Sequence, residues 1–383
     1  MRSERIFRII NELDTEFIDE AENIAPGRRR RIPIYTLATA ASLFLLIGIG
    51  NYLYNRPDPS LPKLDVSFYE NGGMGFSGYQ AYDASELVNN NPWTEDYELT
   101  HLPVFYNNHP VDGAGVLLEY DWPAMDAALL KVAGNLGITD IEIIHDPNYH
   151  GTWPVSAQID NMTFRMHHPH VTEVFFEPQI EVPEEYRIIG LNETYEETYA
   201  LAGYLLDTYP ELIAMENPTI DISGGDYGTN NTENWQHHNI SFYDTTEDAT
   251  QNILNYNFNY TSFTTDHLSG DLWIYSVYNW DLSNLVGYYP IISADEAQKL
   301  LCRGYYGTNV PEKFRDEKYI VKRELVYRND IMQTVFVPYY LFYVELSDEY
   351  DRNGLNCYGL YYVPAVESRY IENFSDVWNI RHN

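Results

Sequence analysis

The sequence predicts an α+β fold: one N-terminal transmembrane helix followed by a β-rich extracytoplasmic body with antiparallel sheets and a few packed helices. Three observations carry that expectation. The 23 residues from Ile32 to Tyr54 contain no charged side chain and follow directly on Arg28, Arg29, Arg30 and Arg31. Aromatic residues make up 15% of the chain, with 35 tyrosines, and such rings favour strands over helices. Asn, Asp, Gly and Pro recur at short intervals, so the strand patterns between them are short and linked by turns.

As a helix, the uncharged segment extends ~34 Å at ~1.5 Å per residue, enough for the hydrocarbon core of a bilayer. Every backbone polar group is then satisfied within the segment. The four arginines act as a positive-inside signal: residues 1–31 are expected in the cytosol and the body outside, in a single-pass protein of the cell membrane with the lipid bilayer as its first partner. A cleaved signal peptide fits poorly, because 31 residues precede the run and it ends in Asn51, Tyr52, Leu53 and Tyr54 rather than at a small-residue cleavage site. A buried helix of a soluble domain is the alternative, since Thr36, Thr39, Ser42 and Gly48 dilute the apolar character.

Charge divides along the same line. Residues 1–31 carry seven basic and seven acidic side chains, so the formal net charge of −34 falls on the remainder. A field of that sign repels phosphate backbones and excludes nucleic acid as a partner. No Asp-x-Asp-x-Asp-Gly loop is present, so solvation is a better account of the acidity than calcium binding. Cys302 and Cys357 are the two cysteines; in an oxidising exterior they either bond to each other or pack as small hydrophobes.

In the cytosolic segment, Ile6, Ile9, Ile10, Leu13 and Phe17 recur at helical spacing, with Ser3, Asn11, Glu12, Glu16 and Asp19 on the other faces. A helix of this size with no domain behind it must lie on a membrane, pair with itself or dock in a partner's groove. Its acidic second half disfavours an anionic leaflet, so a cytosolic protein partner is expected at this stripe.

Residues 55–65 read as a Pro-rich stalk, 66–286 as an α+β region of one or two modules, and 287–383 as a C-terminal module. Asp83 and Glu86 have capping-box spacing for a short helix. Strand patterns ELTHLPVFY and GVLLEY lead to a helix at WPAMDAALLKVAGNLG, whose stripe Met125, Ala128, Leu129, Val132 and Leu136 is core in character. Strands are expected at VSAQID, MTFRMH and VTEVFFEP. A helix follows over residues 193–209, with Tyr195, Tyr199, Ala202, Leu205 and Leu206 on its apolar side. Further strands are expected at PTIDIS, NISFYD, ILNYNFNYTSF and DLWIYSVYNW, with a turn at Ser223-Gly224-Gly225-Asp226. That glycine pair lacks the pattern of a phosphate-binding loop.

In the last module, Ser293 and Glu296 form a capping box, and three long strand patterns follow: YIVKRELVY, TVFVPYYLFYVEL and NCYGLYYVPAV. One helix on a three-stranded antiparallel meander resembles the PepSY-like domains found outside bacterial membranes. The run ELDTEFIDEAE followed by four arginines and the uncharged segment is similar to the N-terminus of uncharacterised single-pass membrane proteins of clostridia-type Gram-positive bacteria. It also resembles the short cytosolic segments of membrane-bound anti-sigma factors. The likeness to the uncharacterised group continues through GYQAYDASELVNNNPW, NPTIDISGGDYG and YPIISADEAQKLL to YYVPAVESRYIENF, and it implies no activity.

Motifs of catalysis are absent: there is no HExxH, GxSxG, metal-spaced cysteine pair or GxGxxG. His167, His168 and His170 form the densest local cluster, with His237 and His238 a second source. A strand would send His167 and His168 to opposite faces, so exposed histidines at a strand end are expected rather than a metal site. Acidic pairs such as Glu184-Glu185 or Glu196-Glu197 give no means of choosing a catalytic pair. No catalytic, cofactor or metal role is therefore assigned. Two functions remain: a sensing or regulatory membrane protein whose cytosolic helix binds a partner, or an anchored cell-surface binding module, or hydrolase, acting on wall polymers or peptides.

Overall fold

The fold is that of a computed structural model, which describes residues 60–66, 79–82 and 87–372, less short stretches at 113–114, 147–152, 191–192, 230–233, 309, 311, 330 and 352–355. Strand alternation dominates it. The largest sheet has eight antiparallel strands. Their spatial order is β3 (Ile143–His145), β4 (Val155–Ile159), β5 (Met162–Met166), β6 (Val171–Ile180), β10 (Leu272–Asn279), β9 (Asn259–Thr265), β8 (Asn234–Asp244) and β7 (Pro218–Thr229). Four strands form a second sheet in the order β1 (Tyr79–Tyr82), β15 (Asn356–Pro364), β14 (Pro338–Glu345), β12 (Ile320–Tyr327). A small third sheet joins β11 (Leu285–Pro290), β2 (His101–Tyr106) and β13 (Val335–Phe336).

One face of the eight-stranded sheet is apolar because every second residue is. Ala157, Phe164, Val174, Phe176, Ile222, Ile240, Phe242, Phe263 and Tyr275 are buried on it. Helices α1 (Trp122–Asn135), α2 (Tyr195–Thr208) and α3 (Pro210–Ile213) supply the other half of that core. Asp121 opens α1 by accepting from the Ala124 amide at 3.1 Å, and Met125, Leu129 and Val132 then recur at helical spacing and are buried. A full capping box between Thr194 and Glu197 opens α2, satisfying both orphan backbone amides there. Its buried face is Thr198, Leu201, Ala202 and Leu205, while Tyr199 is exposed, so the helix is rotated from the expected stripe.

A second core gathers α4 (Ala249–Phe258) and α5 (Ala294–Cys302) with the second sheet, through Ile253, Phe258, Trp280, Leu301, Phe342 and Tyr361. The C-terminal strands β12, β14 and β15 form a meander, and the sheet gains β1 from the start of the body beside β15. Leu64, near the end of the expected stalk, is buried, donating from its amide to the Tyr370 carbonyl at 2.7 Å. The two cysteines do not bond to each other: Cys357 is buried in β15 and Cys302 exposed on α5.

Several expectations are corrected. The β-rich, antiparallel body is present, but among the described residues no helix is long and apolar enough to cross a membrane. The longest, α1 and α2, have 14 residues each, short of the ~20 a span requires. The predicted span and the cytosolic stripe of Ile6, Ile9, Ile10, Leu13 and Phe17 lie outside the described residues, as do Arg28 to Arg31 and the Asp83 capping box. GVLLEY forms no strand, only an isolated bridge between Val111 and Leu117. Ser223 to Asp226 is not a turn but part of β7, with a bulge between Gly224 and Asp226. The run ILNYNFNYTSF divides: its first part ends α4, and its second begins β9.

Candidate functional site

The second face of the eight-stranded sheet is built quite differently from the first. Side chains alternate across a strand, so the residues between the buried apolar ones all point away from the core. The pairing registers line up one of them from each strand. Asp221 lies opposite Ser241, Ser241 opposite Ser262, and Ser262 opposite Ser276. The row continues through Glu173, Arg165 and Ser156 to Ile144. Strands stand ~4.8 Å apart, so Asp221 to Ser276 is a ribbon of small polar groups ~14 Å long.

Bulkier residues flank this ribbon. On one side, two residues along each strand, Tyr243, Tyr260 and Tyr278 form a parallel row. Tyr260 and Tyr278 stack with centroids 4.3 Å apart. On the other side Phe175 meets the exposed Trp273 edge-on at 5.9 Å, and Arg165 lies over Phe175 at 4.4 Å and Trp153 at 5.0 Å. The serine floor is thus edged by the tyrosine row on one side, while Ser223, Asn239 and Thr264 continue the polar surface on the other as far as Phe175 and Trp273.

At its Asp221 end the groove deepens into a cleft of about 340 Å³, lined by Asp221, Ser223, Asn239, Ser241, Tyr256, Asn257, Tyr260, Ser262, Tyr278 and Asn329. Helix α4 makes this depth possible by laying Tyr256 and Asn257 across the sheet. Its N-cap is Asp248, which accepts from the Thr250 and Gln251 amides, and its apolar residues Ile253 and Phe258 are buried in the second core. The Asn257 amide donates to the Ile253 carbonyl at 2.7 Å and its oxygen accepts from the Tyr327 amide at 3.0 Å. The Asn329 amide donates to the Asn257 carbonyl, so both asparagines are held in place.

Among the described residues Asp221 is the one carboxylate in the cleft wall, and it is 4% exposed. It accepts from the Asn90 amide at 2.8 Å and from the Ser241 hydroxyl at 3.3 Å. Loss of hydration pushes its pKa up to about 6; those two hydrogen bonds and Lys322 oppose the rise, and Glu324 adds to it. Burial likewise raises the phenols of Tyr256, Tyr260 and Tyr278, so all three are neutral. Glu173, farther along the ribbon, is raised by burial against the opposing charge of Arg165.

The histidine cluster takes another form than the sequence predicts. His167, His168 and His170 lie in the turn between β5 and β6 and stack rather than diverge, with centroids 6.0 Å and 5.3 Å apart in order. His170 then stacks on Trp280 at 3.6 Å. Burial lowers His168 to about 4 and His170 well below the usual range, each helped by its histidine neighbours. These rings are neutral packing elements at pH 7. Among the described residues no group of three or more His, Cys, Asp or Glu side chains is placed to hold a metal ion. His238 is buried, its backbone amide donating to Glu193 at 2.9 Å, and Glu197 is occupied by its capping box.

The groove residues were missed by pattern reading. Alternation in IDIS and NISFYD places Asp221, Ser223, Asn239 and Ser241 on one face, but not which strands stand beside them. Asp248 with Gln251 has the spacing that opens a helix, the one local signal for α4.

No family model and no curated protein matches the chain. Among solved structures, an uncharacterized protein from Eubacterium rectale ATCC 33656 is similar at 11% identity and a TM-score of 0.29, over 70% of this chain and 84% of that one.

Proposed function

We propose that this protein is a recognition module that takes a small polar ligand into the groove on the open face of its eight-stranded sheet. The observation that carries the reading is the cleft of about 340 Å³ whose lining residues, Asp221 aside, all carry a hydroxyl or amide group. Its size falls in the range of small-molecule sites, and a few converging polar groups on a rigid scaffold are what orient a ligand. An enzyme would need a second reactive group in the cleft beside Asp221; the neighbouring Lys322 and Glu324 pair with each other at 2.6 Å, and the serines and asparagines that line the cleft are binding groups, not acids or bases. The acidity of the body supports a place for it at the cell surface, where it would meet wall polymers or peptides. Sensing is the use favoured by the apolar stripe from Ile6 to Phe17, which offers a docking face for a cytosolic partner.

Ligand that binds only the folded state raises Tm by mass action. The test is a thermal-shift screen of the full chain against neutral oligosaccharides, short peptides, amino acids and polyamines, repeated on Ser262→Trp, which fills the groove floor. The expected result is a saturable rise in Tm with at least one probe class in the wild type and none in the variant. Shifts of equal size in both proteins, or none in either, would contradict the reading.

A further inference from the structure

We infer that the ligand is a neutral polyhydroxylated chain, a short oligosaccharide, laid along the serine ribbon and stacked on the Tyr260 and Tyr278 wall. This rests on the groove being a binding site, and it is argued from the chemistry of the floor and walls. Ser262, Asn239, Asn257 and Asn329 each carry both a donor and an acceptor, and Ser241, whose proton goes to Asp221, offers an acceptor. Only a ligand that also both donates and accepts along its whole length can satisfy such a surface, and sugar hydroxyls do. An apolar ligand would strip water from these groups without replacing its hydrogen bonds.

The remaining ligand classes fit less well. The net charge of −34 opposes a phosphorylated or carboxylated polymer. An extended peptide binds best by adding to a sheet edge, whereas the groove crosses the sheet's face, where β8, β9 and β10 already have strand partners on both sides. A cation would look to Asp221, but that carboxyl already accepts from Asn90 and Ser241.

Geometry supports the sugar directly. Hydroxyls repeat every ~4.8 Å along the ribbon, one per strand, an advance close to the length of one pyranose ring. The two tyrosine rings stack face to face 4.3 Å apart, which leaves their edges and outer faces as the apolar surface for the C–H face of a pyranose to pack on. Trp273, exposed on the opposite wall, gives a second platform farther along.

The experiment is calorimetric titration of the full chain with cello-oligosaccharides and chito-oligosaccharides, and separately with spermidine and an uncharged peptide. It is repeated on Ser241→Ala, Tyr278→Phe and Ser262→Trp, with near-UV circular dichroism to check folding. One of the glycans should bind, Ser262→Trp should abolish its binding, and Ser241→Ala and Tyr278→Phe should each weaken it by ~3- to 10-fold, the worth of one hydrogen bond. Should Ser262→Trp fail to fold, the two mild variants carry the test alone. If neither glycan binds, the inference is overturned. Binding of spermidine or the peptide alone, weakened by the same variants, overturns the ligand class and leaves the recognition module in place. Glycan binding unchanged in all folded variants overturns the site itself.

Discussion

Asp221 is held in the protein at a cost to the fold. Its carboxyl keeps its proton up to about pH 6, whereas the ordinary value is 3.8. Below the lower value both folded and unfolded states are protonated, and no penalty exists. Between the two values the unfolded chain sheds a proton that the folded chain retains, so stability falls as pH rises, and above about 6 it stays lower. Asparagine keeps an oxygen to accept from the Asn90 amide and carries no charge. Asp221→Asn should therefore stabilise the protein at neutral pH by about 2–3 kcal/mol, with the advantage vanishing in acid. Thermal melts across the pH range measure this; a constant difference between the proteins would contradict it. A binding group that weakens the fold it sits in is what a ligand site needs, because the ligand restores what burial took away.

At the scale of elements, alternation made the strands legible. The patterns VSAQID, MTFRMH and VTEVFFEP form β4, β5 and β6, because their apolar residues fall on one side of a pleat. Local aromatic content misled the reading of ILNYNFNYTSF. Asp248 caps a helix there, and the second core buries Ile253 and Phe258, which outweighs the strand preference of their side chains. The serine ribbon was illegible for a different reason: helix α4 stands between β8 and β9 in the chain, and no local pattern records that Ser241 lies opposite Ser262. The second sheet is as tightly specified as the first. A Cβ at Gly359 in β15 would stand 2.8 Å from Leu346 Cδ2, 2.9 Å from Tyr361 Cε2 and 3.0 Å from Val310 Cγ2. All three neighbours belong to the second core, where overpacking is poorly relieved. Gly359→Ala is expected to cost about 1–3 kcal/mol, read as a lower denaturant midpoint at unchanged slope. A midpoint equal to wild type would show that the core yields more than its packing implies.

Across the described body, helices pack on one face of the largest sheet and leave its other face polar. The helices α1 and α2 bury one face of the eight-stranded sheet, and α4 deepens the other face into a cleft that no single strand could form. The sheet is the rigid part, so a ligand across β7, β8, β9 and β10 meets groups whose spacing is set by backbone hydrogen bonds rather than by loops. That is the central claim, and a crystal structure of the protein soaked with a cello- or chito-oligosaccharide tests it most directly. The account predicts sugar density on the polar face, one ring over Tyr260 and Tyr278 and its hydroxyls within ~3 Å of Ser241 and Asn257. Sugar bound at any other surface, with the serine ribbon left to solvent, would contradict it.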